Sequence, residues 1–67
     1  MIQIVVNGDP KRVPEGLDIV GLLRLLEIDP GRVAVERNRA IVRQSEWDSA
    51  RVGAGDQFEI VWFVGGG

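Results

Sequence analysis

Ile2, Ile4 and Val6 alternate with Gln3 and Val5 at the start of the chain, the period of a strand with one buried face. Asn7-Gly8 follows, and because both residue types tolerate positive φ the pair predicts a tight hairpin turn. Pro10 keeps the chain from resuming a ladder at once, so a short second strand is expected around Arg12 and Val13, ending at Pro14-Glu15-Gly16. The period then changes. Ile19, Leu22, Leu23 and Leu26 stand at i, i+3, i+4 and i+7, one apolar stripe of a helix. Asp18 is placed to cap its free first-turn amides, and Asp29-Pro30-Gly31 is expected to close it. Gly21 inside the helix costs about 1 kcal/mol relative to alanine, which predicts close packing against the sheet there.

Val33 to Glu36 and Ala40 to Val42 read as two more strands, with Asn38 near their turn. The run Ser45-Glu46-Trp47-Asp48 predicts a single helical turn capped by Ser45. A Gly53-Ala54-Gly55-Asp56 turn then leads into a last strand, Gln57 to Val64. Strand, strand, helix, strand, strand, strand specifies an α+β domain: one helix on one mixed sheet, the first and last strands adjacent in the middle. On the last strand Phe58, Ile60, Trp62 and Val64 share one face, while Gln57, Glu59, Val61 and Phe63 share the other. The second face begins polar and turns apolar close to the chain's end. A single helix covers one side of a sheet, so Val61 and Phe63 are expected either at a docking surface or beneath a loop.

Composition narrows the chemistry. With 67 residues the chain holds one domain, and 45% hydrophobic residues allow a core without staples. There is no cysteine and no histidine, which removes disulfides, thiolate metal sites and the commonest general base together. Ser45 and Ser49 therefore have nothing to activate them, and enzymatic activity of the chain itself is not expected. Ten acidic residues against eight basic ones give a net charge of −2 with no basic stripe, so nucleic acid is not an expected partner. No apolar run approaches a membrane span and no leader is read at the N-terminus, so a cytoplasmic location is expected.

One reactive group is left, the α-carboxylate of Gly67. Residues 1–64 read as the domain and residues 65–67, all glycine, as a flexible tail. Three terminal glycines arise by chance about 3 times in 10,000 at a background near 7%, so chance is a weak account, although a cloning remnant is another. A tail without Cβ atoms can thread a narrow channel, and three extended residues reach roughly 10 Å. A carboxylate becomes electrophilic once it attacks the α-phosphate of ATP and forms an acyl-adenylate, which a sulfur or amine nucleophile can open.

Residues 38 to 67 resemble the ThiS family, the sulfur carriers of thiamin biosynthesis with a ubiquitin-like β-grasp fold. The marks are Asn38-Arg39 before Ile41-Val42, then Ser45-Glu46-Trp47, Gly55-Asp56 and the ending Phe63-Val64-Gly65-Gly66-Gly67. Arg43-Gln44 departs from the proline that family members often carry after the Ile-Val pair. The resemblance implies a ThiF-like adenylating enzyme that activates Gly67 with ATP and Mg²⁺. It implies a sulfur donor working through a cysteine desulfurase or persulfide, a thiocarboxylate on Gly67, and thiazole synthase as acceptor. Gly65 and Gly66 would thread the partner sites, and Val61, Phe63 and Val64 would dock. Strand parity turns Trp62 inward while the resemblance puts it near the interface. Two other readings share the activated glycine: the small subunit of molybdopterin synthase, and a protein modifier conjugated to lysines. A plain interaction module with an inert tail is a third alternative. Lys11, the only lysine, argues against chain-building by a modifier.

Overall fold

The computed structural model describes residues 1–64. Gly65, Gly66 and Gly67 lie outside the described residues. The elements are β1 (Ile2–Val6), β2 (Asp9–Val13), α1 (Ile19–Leu25), β3 (Val33–Arg37), β4 (Ala40–Val42) and β5 (Gln57–Trp62). Short 3₁₀ turns occupy Pro30–Arg32 and Gln44–Glu46. The strands form one mixed sheet in the order β2-β1-β5-β3-β4. β1 and β5 run parallel in its middle, and the pairs β1–β2, β3–β4 and β3–β5 are antiparallel. This is the expected one-helix α+β architecture. No helix among the described residues is long and apolar enough to cross a membrane.

The core forms where the two periodicities meet. Ile4, Val6, Val13, Val33, Val35, Phe58 and Ile60 on the strands bury against Ile19, Leu22 and Leu23 of α1, with Trp47 and Val52 closing one end. Both hairpins turn on residues with positive φ: Asn7 and Gly8 between β1 and β2, Asn38 and Arg39 between β3 and β4. Asp18 caps α1 as expected, its carboxylate accepting from the Gly21 N–H at 2.7 Å. The constraint at Gly21 has a different source from the one expected. A Cβ there would meet Leu17 Cδ2 at 3.2 Å and Asp18 Oδ1 at 3.3 Å, so the cap and its neighbour crowd it, not the sheet.

Four boundaries differ from the sequence reading. The helix ends at Leu25 instead of running to Asp29-Pro30-Gly31. Glu27 adopts φ 59, its N–H bonds Arg24 O, and the Ile28 N–H reaches back to Leu23 O at 2.9 Å. That is a Schellman ending with glutamate where glycine is usual, so the composition carried no signal. Next, β2 starts at Asp9 and includes Pro10 opposite Val5. It is an edge strand, where a missing N–H on the outer side costs no ladder bond. Ser45 sits inside the 3₁₀ turn; Arg43 occupies the cap position and makes no side-chain cap bond. Finally, β5 stops at Trp62 and not Val64, although the Phe63 N–H still bonds Arg32 O at 2.9 Å.

Candidate functional site

The candidate site is the C-terminal half of β5 and the face of the sheet turned away from α1. Val61 is 53% exposed, Phe63 65% and Val64 97%. These are the three residues expected to dock, and no loop covers them. Val61 pairs with Ala34 across β3, and Phe63 lines a shallow groove with Ala34, Ile41 and Val42. Ile41 is also exposed and belongs to the same face through its pairing with Glu36. The apolar patch therefore crosses three strands.

Beside the patch, Glu36 of β3 faces Glu59 of β5. The ion pairs among the described residues, Arg32 with Asp29 and Arg37 with Asp56, involve neither glutamate. Like charges directly opposite on a sheet repel, and a cation brought to this face relieves that repulsion. The arrangement suits a binding partner with an apolar anchor and a nearby basic group.

Trp62 has the parity of the core but not its burial, being 49% exposed. The helix ends before it can cover this position. Trp62 instead lines a groove with Asn7, Lys11, Leu26, Glu27 and Ile28 on the helix side of the sheet. Its aromatic surface thus lies on the opposite side from Val61 and Phe63, one residue from each.

Side-chain hydrogen bonds hold the strand that carries these residues at its start and at Ile60. At its start, Asp56 accepts from the Gly53 N–H at 2.8 Å and from Asn38 Nδ2 at 3.2 Å, while Asn38 Oδ1 accepts from the Gln57 N–H at 2.9 Å. Trp47, whose indole donates to Val42 O at 2.9 Å, buries beneath β4 and anchors the loop that follows. Farther along, Asn7 binds both main-chain groups of Ile60. The sequence reading passed over Ile41, the glutamate pair and Asn7's side chain, because only strand register brings them together. No group of three or more histidine, cysteine, aspartate or glutamate side chains that could hold a metal occurs among the described residues.

The sequence profile of the ThiS family matches residues 4–67. A thiazole synthase from Magnetococcus marinus is 39% identical over 66 residues, a match that takes in 98% of this chain and 20% of that protein. The chain thus spans about a fifth of the length of that relative. An uncharacterized protein, ycf40, from Porphyra purpurea is 33% identical over 98% of this chain and 93% of its own. The crystal structure of a thiamine biosynthesis protein (ThiS) from Geobacter metallireducens superposes with a TM-score of 0.87, at 33% identity, over 98% of this chain and 100% of that one. With a family profile that runs from β1 to the last residue and a ThiS structure that superposes over nearly the whole chain, the chain belongs to the ThiS family.

Proposed function

We propose that this chain carries sulfur to the thiazole ring of thiamin, with the Gly67 carboxylate as the carrying group. The observation that supports it most is the Magnetococcus marinus relative. A protein named thiazole synthase contains, in one polypeptide, a segment 39% identical to nearly the whole of this chain. Joining two chains that act on each other raises their effective concentration where the linker spans the two sites.

In the proposed cycle a Gly67 carboxylate oxygen attacks the α-phosphate of ATP, held with Mg²⁺ by a ThiF-like adenylating enzyme, and pyrophosphate leaves. A persulfide sulfur supplied through a cysteine desulfurase then attacks the acyl carbon and expels AMP. A thiol cleaves the resulting S–S bond, which frees the thiocarboxylate. Thiazole synthase takes the sulfur into the ring and the chain returns as a carboxylate. The chain acts as co-substrate, not catalyst. Val61, Phe63 and Val64 dock, and Gly65 and Gly66 thread the active sites, where a Cβ would obstruct a narrow channel. The exposure of the three docking residues is consistent with this.

The test is the intact mass of the chain after incubation with a ThiF-type enzyme, ATP and a persulfide donor. A gain equal to the difference between sulfur and oxygen, on the C-terminal peptide, is expected. No gain, with the enzyme active on its own carrier, overturns the reading. Offering the charged chain to thiazole synthase and to molybdopterin synthase then identifies the acceptor.

A further inference from the structure

The β1–β5 ladder contains a substitution of side chain for main chain. The parallel pairing covers Val5 with Gln57 and Val6 with Phe58. Its main-chain bonds run from Val5 N–H to Asp56 O and from Asn7 N–H to Phe58 O, both 2.9 Å. A continuing β1 would next accept from the Ile60 N–H and donate to Ile60 O. Instead β1 turns away into the hairpin, Asn7 lying at φ 50. The Asn7 amide supplies both missing partners: Oδ1 accepts from the Ile60 N–H at 2.7 Å and Nδ2 donates to Ile60 O at 3.2 Å. Reversing the amide would set donor against donor and acceptor against acceptor, so this orientation is the one that satisfies Ile60.

Ile60 is the last buried residue before the exposed run of Val61 to Val64. Asn7 therefore holds β5 on the side that β1 has left, while on the other side β3 stays paired as far as Trp62 and the Phe63 N–H bonds Arg32 O. We propose that Asn7 is a positioning residue for partner engagement, fixing the direction in which the chain leaves the sheet at Phe63. This rests on the carrier reading. Without the two bonds the strand samples more exit directions, and the fraction competent to dock falls. Apparent affinity falls with that fraction. Chemistry after docking is untouched, so KM moves and kcat does not.

The turn allows a clean test. Asn7→Gly keeps a pair that favours positive φ and deletes the amide, while Asn7→Asp keeps the acceptor and loses the donor. With free chains, amide hydrogen exchange is read at Ile60 and at β3 well below the melting temperature. In Asn7→Gly exchange at Ile60 is expected to rise about tenfold while β3 is unchanged, with Asn7→Asp between. In ATP–pyrophosphate exchange with the adenylating enzyme, KM for the carrier rises several-fold in the same order at constant kcat. Unchanged Ile60 exchange, a uniform rise across the sheet, or an unmoved KM each overturns the proposal. If the wild-type chain is itself not adenylated, the carrier reading fails and with it the role in partner engagement, while exchange at Ile60 still decides whether Asn7 holds the strand.

Discussion

Aspartate 56 shows how a single side chain organises the approach to the site. Its carboxylate receives the Gly53 N–H and Asn38 Nδ2, and Arg37 Nη1 lies 3.9 Å away. It closes the turn before β5 and ties that turn to the β3–β4 hairpin. Asp56→Ala leaves the part-buried Gly53 N–H without its partner while the exposed Asn38 amide turns to water, and a loss of about 1 kcal/mol in denaturant unfolding is expected. A loss near zero would mean that water replaces these bonds. The sequence showed Gly55-Asp56 as a turn and as a family mark. It could not show which donors converge on the carboxylate, because Asn38 and Arg37 come from a hairpin about twenty positions earlier in the chain.

At the level of elements, β5 divides its two faces by depth as well as by parity. Phe58 and Ile60 bury, Glu59 and Val61 face outward, and beyond Ile60 both faces open to solvent. Alternation alone predicted the outward pair correctly, since period 2 is a property of the strand itself. It failed for Trp62 because burial also needs something to lie above, and α1 ends too early to supply it. Phe63→Glu changes an exposed side chain, so stability should move by less than about 0.5 kcal/mol. Binding to the adenylating enzyme, followed by titration calorimetry, should weaken at least tenfold if Phe63 is an anchor of the interface. A large drop in melting temperature would instead assign Phe63 a packing role.

Across the whole molecule, one helix on a five-stranded sheet leaves a sheet face open, and the last described residues, Phe63 and Val64, stand exposed beyond the end of β5. Under the proposed adenylation the reach of the tail is a quantity that matters. Adding one alanine after Gly67 extends it by roughly 3.5 Å. The fold should be unchanged by circular dichroism, while adenylation should be lost because the carboxylate overshoots the bound ATP; normal pyrophosphate exchange would refute this. Much of the protein is determined by local chemistry that the sequence states outright. Two changes of hydrophobic period place the strands and helix, Asn7-Gly8 places the first hairpin, and Asp18 places the helix start. The absence of histidine and cysteine leaves the terminal carboxylate as the group to consider. What the sequence could not decide depends on residues meeting across the fold. The edge position that admits Pro10, the cover missing from Trp62 and the Asn7 amide standing in for a peptide are all of this kind. Each depends on which segments become neighbours, and that is settled only when the sheet closes around its core.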